Sequence, residues 1–275
     1  MCEEPRHGLA VGFFDGVHRA HQAVLARASR VLTFRNHPLS ILAPQKAPRL
    51  LMTTASRLAA IRACGVTDIL ALDFTRDLSQ LSPDDFISEF IHERTVYCGE
   101  NWHFGRGGKG DGAYLRAKGI DVEMIPLVQF EGAAISSTRI RAAIQNAQIK
   151  TAADMLGRPW TLRGTIEKGK GLGHTIGYAT LNIRPAANLI TPPNGVYSVR
   201  LNGIKGIANF GLAPTMGARA WTAPELEVHL LDSAENLPRL GENVDVAFYD
   251  FIRPEKKFDS LEALRTQIAA DIARL

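Results

Sequence analysis

Over the first half of the chain, short apolar runs alternate with stretches whose apolar residues recur at helical spacing. GLAVGFF (8–14) is an apolar run closed by Asp15-Gly16, which predicts a buried strand and its turn. HRAHQAVLARA follows, with Val24 and Leu25 on one side of a helical pattern, and VLTF (31–34) is the next strand. The residues between Phe14 and Val31 suffice for a crossover helix joining two parallel strands. TTASRLAAIRACG predicts a helix with Thr54 as cap, Leu58 and Ile61 on one face and Gly65 as stop. DILALDF (68–74), TVYCG and IDVEMIPL read as further strands. Between the first two, SPDDFISEFIHE reads as a helix capped by Ser82 with Pro83 at its first position. SSTRIRAAI opens another helix with three hydroxyls. Alternation of this kind predicts an α/β domain with an open parallel sheet and helices on both faces.

Near residue 150 the rhythm changes. QIKTAADMLGRPW reads as a helical or turn-rich connection. After it come short strand patterns split by Gly, Pro and Asn: WTLRGTIEKG, GVYSVRLNG, IKGIANFG, LEVHLLD and ENVDVAFYDFI. That spacing predicts an antiparallel β-barrel. Leu261, Leu264, Ile268, Ile272 and Leu275 then mark a C-terminal helix, with Asp259 and Glu262 as its cap. Neither an internal repeat nor a low-complexity tract is evident. The expected boundary falls within 145–158, giving domains 1–150 and 151–275.

Composition adds little to this picture. The 275 residues are 45% hydrophobic and 22% charged, ordinary for a soluble globular protein. A net charge of +4 suits small anionic ligands such as nucleotides and is too weak and dispersed to argue for nucleic acid. Cys2, Cys64 and Cys98 show no C-x-x-C spacing, so neither a disulfide framework nor a zinc site is expected, and a reducing cytoplasm fits. MCEEPRH is acidic and unlike a signal peptide, and no apolar run is long enough to span a membrane. The expectation is a cytoplasmic protein with small-molecule partners; the oligomeric state is not legible.

Chemistry enters with GFFDGVHRAHQ (12–22). His18 and His21 share a helix face, just after a strand and turn that would bring them to a helix N-terminus at the sheet's carboxyl edge. Phosphate is attracted there, and two imidazoles add donors for charge on a phosphoryl group. The plainer alternative is two solvated histidines. YCGENWHFGRGGKGDG (97–112) is a glycine loop carrying Asn101, Arg106 and Lys109. In ISSTRIR, Ser136, Ser137 and Thr138 can cap a helix while Arg139 and Arg141 meet phosphates. In GTIEKGKGLGHTIGYATLNI (164–183), Gly169, Gly171, Gly173 and Gly177 can bring backbone N–H groups close to phosphates. Thr180 and Asn182 share a strand face there and suit Mg²⁺. Glu225 and Glu227 also share a strand face, and the pattern alone does not choose between them as a base.

These stretches, with TFRNHP and LMTT, occur in an order and spacing that resemble the bacterial bifunctional riboflavin kinase/FMN adenylyltransferase family, also called FAD synthetases. ATLNI resembles the kinase signature GFPTAN, and PPNGVYSVRL, GIANFGLAPTMG and ELEVHLLD also match the kinase module in order. The resemblance implies a Rossmann-like nucleotidyltransferase domain followed by a riboflavin kinase barrel. It implies ATP and Mg²⁺ at both sites, with riboflavin, FMN and FAD as substrates and products. By motif position, His18 and His21 would contact the ATP phosphates and stabilise the transferring α-phosphoryl group. Gly12, Phe14 and Asp15 would lie in the nucleotide-binding stretch, Asn101 in the nucleotide/flavin cleft, and Ser136, Ser137, Thr138, Arg139 and Arg141 on the triphosphate. In the second domain Gly169, Gly171, Gly173, Gly177 and Asn209 would bind ligand, with Pro214 and Thr215 nearby. Thr180 and Asn182 would hold the metal, and Glu227 would be the base. Two other readings stay open: a monofunctional riboflavin kinase whose first domain has lost or weakened adenylyl transfer, and a flavin- or nucleotide-binding regulator without turnover.

Overall fold

The computed structural model describes residues 7–168, 179–211, 225–231, 237–256 and 258–274. The chain divides into two compact units, Met1–Ser137 and Thr138–Leu275.

In the first unit strands and helices alternate as expected. They are β1 (Leu9–Val11), α1 (Arg19–Leu25), β2 (Arg30–Phe34), the short α2 (Leu39–Leu42), α3 (Thr54–Ala63), β3 (Asp68–Leu72), α4 (Pro83–Phe90), β4 (Thr95–Gly99), α5 (Gly112–Ala117) and β5 (Asp121–Ile125). A small hairpin, β6 (Gln129–Phe130) and β7 (Ala133–Ala134), follows. The main sheet is parallel with order β3-β2-β1-β4-β5. Successive strand residues point to opposite faces. Ala10, Val31 and Tyr97 therefore pack with Val24, Leu25 and Ile61 from α1 and α3. Leu9, Val11, Leu32 and Val96 pack on the other side with Phe86 and Leu115 from α4 and α5. A sheet buried on both faces needs apolar residues at nearly every position, which is why these strands read as continuous runs.

The strand order matters for function. The chain leaves β1 toward β2 and β3, then returns to lay β4 on the other side of β1. The loops after β1 and β4 thus part at the carboxyl edge, and the crevice between them is the switch point where open α/β sheets bind ligands.

Two helix caps differ from expectation by one residue. Helix α3 is capped by Thr53, whose extended backbone (φ −66°, ψ 160°) aims its hydroxyl at the Ser56 N–H, 3.2 Å away. Thr54 instead donates its hydroxyl to the Arg35 carbonyl at 2.8 Å. Ser82 and Pro83 start α4 as expected.

Helix α6 (Ser137–Gln145) leads into the second unit, where α7 (Ile149–Leu156) ends at Gly157 in the left-handed conformation. The strands are β8 (Trp160–Glu167), β9 (Ala179–Pro185), β10 (Gly195–Leu201), β11 (Ile204–Gly211), β12 (Glu225–Leu230) and β13 (Asn243–Arg253). They close into an antiparallel barrel in the order β10-β11-β12-β9-β8-β13. Strand β8 alternates strictly, with Trp160, Leu162, Gly164 and Ile166 turned inward. Helix α8 (Leu261–Ile272) is capped by Ser260 rather than Asp259. It is tied to β13 by Arg253 and Asp271, with Nη2 and Oδ2 2.8 Å apart and Asp271 1% exposed. Cys64 and Cys98 are free thiols, and burial pushes that of Cys98 up to about 11. Among the described residues no helix is long and apolar enough to cross a membrane. Cys2, Gly169, Gly171, Gly173, Gly177, Pro214, Thr215 and Leu275 lie outside the described residues.

Candidate active sites

The loop after β1 is strained. Phe14, Gly16 and Val17 all have positive φ (58°, 84° and 41°), a conformation a β-branched residue such as valine rarely adopts. Such strain persists only where the surroundings over-determine it. Here they do. Both oxygens of the buried Asp15 carboxylate accept the Leu51 N–H (3.0 and 3.1 Å). The Ser137 hydroxyl donates to the Asp15 carbonyl at 2.9 Å, and Gln22 Nε2 donates to the Val17 carbonyl at 2.8 Å. The Phe14 ring lies over Gly12, where a Cβ would stand 2.9 Å from it. Gly12 is dictated by that ring. The side chains of Phe14 and Asp15 are committed to this packing, so what they offer a ligand is backbone.

The loop delivers His18 to the N-cap of α1, where its Nδ1 accepts the His21 N–H at 3.3 Å. That bond makes Nδ1 the accepting nitrogen of the His18 ring. The His18 and His21 rings stack at 3.5 Å, and Phe14 meets His21 edge-on at 5.3 Å. Burial first, then the charges of His18 and Arg57, holds His21 well below the ordinary histidine pKa of 6.5. His21 Nδ1 is buried without a hydrogen-bond partner among the described residues. His21 is thus held neutral.

Asn101 stands exposed in the loop after β4, the strand beside β1. That loop is pinned by paired backbone bonds between Phe104 and Gly110, both 2.9 Å, with Trp102 stacked on Phe104 at 4.8 Å. Ser136 is half-buried just before α6, and Ser137 begins it; Thr138, Arg139 and Arg141 follow on the part of α6 that belongs to the second unit.

Two residues at this edge were not singled out from sequence. His37 follows β2, takes the Leu39 N–H on Nδ1 at 3.1 Å and meets the Phe13 ring edge-on at 4.8 Å. A histidine just past the next parallel strand was the available signal. Asn36 pairs with the backbone of Phe74 in both directions (2.8 and 3.0 Å), joining the ends of β2 and β3. Arg57 is the second residue missed. It reads as a solvated helix position but is 1% exposed.

In the barrel, Leu226, Val228 and Leu230 of β12 point inward, which turns Glu225, Glu227 and His229 outward. Pairing aligns Asn182 of β9 with Glu227, and Glu227 with Asn209 of β11, in one row. His229 lies opposite Thr180, with Nδ1 2.9 Å from the Thr180 hydroxyl. Directly opposite residues have Cβ atoms about 5 Å apart, so this face concentrates hydroxyl, amide, carboxylate and imidazole groups. Burial lowers the His229 pKa, opposed by the nearby Glu227. Asn209 Nδ2 donates to Glu255 Oε1 at 3.3 Å, and Asn194 Nδ2 donates to Oε2 at 3.2 Å. Glu255 occupies the space a side chain at Gly211 would need. His229 shares the strand face of Glu227, so alternation could have found it; Glu255 lies beyond β13, in no strand, and gave no signal.

Against known proteins, the FAD synthetase family model matches residues 2–139 and the riboflavin kinase model residues 156–275. Bifunctional riboflavin kinase/FMN adenylyltransferase of Escherichia coli (strain K12) is 34% identical over 98% of this chain and 93% of its own. The protein of that name from Bacillus subtilis (strain 168) is 30% identical over 98% of this chain and 91% of its own. A crystal structure described as a macrolide-efflux protein from Streptococcus pneumoniae superposes with a TM-score of 0.83 at 30% identity, covering 98% of this chain and 94% of that one.

Proposed function

The chain belongs to the family of bifunctional riboflavin kinases/FMN adenylyltransferases, and we propose that it converts riboflavin to FAD in two ATP-dependent steps. Riboflavin is phosphorylated to FMN, and FMN is adenylylated to FAD with release of pyrophosphate. We assign adenylyl transfer to residues 1–150 and phosphorylation to residues 151–275. The free cysteines support a reducing, cytoplasmic setting.

The observation that carries this reading is the outer barrel row of Asn182, Glu227 and Asn209 beside the Thr180–His229 pair. An alcohol is a poor nucleophile at neutral pH. Glu227 therefore takes the proton of the ribityl 5′-hydroxyl as that oxygen attacks the γ-phosphorus of ATP, and ADP leaves. Mg²⁺ prefers oxygen ligands and keeps several waters, so the Thr180 hydroxyl and the Asn182 amide oxygen suffice as its protein donors. When bound, it neutralises charge on the phosphate oxygens. His229 fixes the Thr180 hydroxyl rotor, and Asn209 flanks Glu227.

Adenylyl transfer makes a different demand. A phosphate monoester has its second pKa near 6, so the FMN phosphate is largely dianionic at neutral pH and needs no base. Its oxygen attacks the α-phosphorus of ATP and pyrophosphate departs. The protein supplies positioning and donors. His18 at the N-cap of α1, with the neutral His21 stacked against it, fits that requirement. Gly12, Phe14 and Asp15 shape the loop, Asn101 faces the cleft from the β4 side, and Ser136, Ser137, Thr138, Arg139 and Arg141 keep the triphosphate role that motif position gives them.

Glu227→Ala tests the assignment. It should abolish FMN formation from riboflavin while leaving FAD formation from supplied FMN. Equal loss of both activities would contradict two separate sites.

A further inference from the structure

Arg57 is buried within α3, yet no acidic side chain of the described residues forms an ion pair with it. Its guanidinium is spent on main-chain oxygens. Nη1 donates to the Phe13 carbonyl and stands 3.4 Å from the Thr33 hydroxyl. Nη2 donates to the carbonyls of Phe34 at 2.5 Å and Arg35 at 3.1 Å. The Phe13 ring lies beneath, 4.0 Å from the guanidinium carbon. One planar fork therefore spans the carboxyl ends of β1 and β2. Phe13 leads directly into the strained turn that delivers His18, and Arg35 leads into Asn36 and His37.

We propose that Arg57 is a positioning residue for adenylyl transfer: it locks the two histidine-bearing loops to one another at the nucleotide edge of the sheet. This rests on the adenylyl-transfer reading of the first domain. Burying a guanidinium is costly unless every donor finds an acceptor, so the arrangement is stable only when both strand ends are in place. Desolvation brings Arg57 down to about 10, opposed by the Asp15 carboxylate, so it remains a cation throughout the neutral range. Its field reaches His21 and favours the neutral imidazole. Lysine cannot replace it fully, because a single ammonium cannot reach both strand ends as a fork does.

The test uses the full-length protein with Arg57→Lys and Arg57→Met. First, the unaltered protein must make FAD from FMN, ATP and Mg²⁺; failure there overturns the functional reading rather than the role of Arg57. Calorimetry on the same samples gives the folded fraction of the first domain, and riboflavin phosphorylation reports the second domain separately. For Arg57→Lys, kcat for FAD formation should fall about tenfold, with the Kd for ATP and kinase activity within twofold of the original. Arg57→Met should fall about a hundredfold. A purely structural role would lower thermal stability while leaving kcat per folded molecule unchanged in Arg57→Lys, and that result overturns the proposal. If Arg57→Met does not fold, Arg57→Lys alone decides, since its kcat either falls or does not.

Discussion

Gly12→Ala probes the chain of contacts that orients the histidines. A Cβ at Gly12 would stand 2.9 Å from Phe14 Cζ and 3.1 Å and 3.2 Å from its two neighbours. The ring must retreat by roughly half an ångström to restore ordinary contact. It is 4% exposed and already in T-shaped contact with His21 at 5.3 Å, so little space receives it. Overpacking of this kind costs about 1–3 kcal/mol. For a unit of this size the Tm falls by about 4 °C per kcal/mol, so the first domain should melt roughly 4–12 °C lower. Displacement of a reacting-site group by up to an ångström costs on the order of 10²-fold in rate. FAD formation from FMN should therefore drop roughly 10–100-fold below the melting range, with riboflavin phosphorylation unchanged. Chromatographic separation of flavins against time, with calorimetry on the same sample, gives both quantities. Adding Phe14→Leu should return part of the lost stability. Wild-type rate and melting in Gly12→Ala would refute the reasoning, because the ring would then not be braced against His21.

Other outcomes follow from the same geometry. The folded His21 refuses a proton that the unfolded chain accepts below pH 6.5, so this residue costs the first domain stability as pH falls through that value, by up to about 1.4 kcal/mol per pH unit. His21→Phe should flatten that part of the slope in urea titrations between pH 7.5 and 5. An unchanged slope would mean His21 is not buried neutral. Asp271→Ala should destabilise the second domain by about 3–5 kcal/mol in chemical denaturation, since it leaves the partly buried Arg253 unpaired. A loss below 1 kcal/mol would mean α8 is held by its apolar contacts alone.

The order of strands and helices was legible because buried parallel strands and amphipathic helices impose different spacings on apolar residues. Caps were legible only to within a residue. Thr53 and Thr54 are chemically equivalent, and the backbone angle at which the chain enters α3 selects between them. Asp259 and Ser260 are both good capping residues, and the extended backbone at Ser260 places its hydroxyl at the start of α8. Glu227 was legible as one of two glutamates, and the strand register set it between Asn182 and Asn209. Arg57 was not legible. Its burial depends on carbonyls from two other elements, and local periodicity carries no information about them. Gly12 was legible as a motif residue, whereas its cause, the Phe14 ring, emerged only from the positive φ at Phe14.

The central claim is that one chain carries two separate phosphorus chemistries. The full-length protein should be incubated with riboflavin, Mg²⁺ and ATP labelled at either the α- or the γ-phosphorus, and the flavins separated over time. The γ-label should appear in FMN first and then in FAD, and the α-label in FAD alone. Label reaching FMN but never FAD would contradict adenylyl transfer, and α-label in FMN or no labelled flavin at all would contradict the account as a whole.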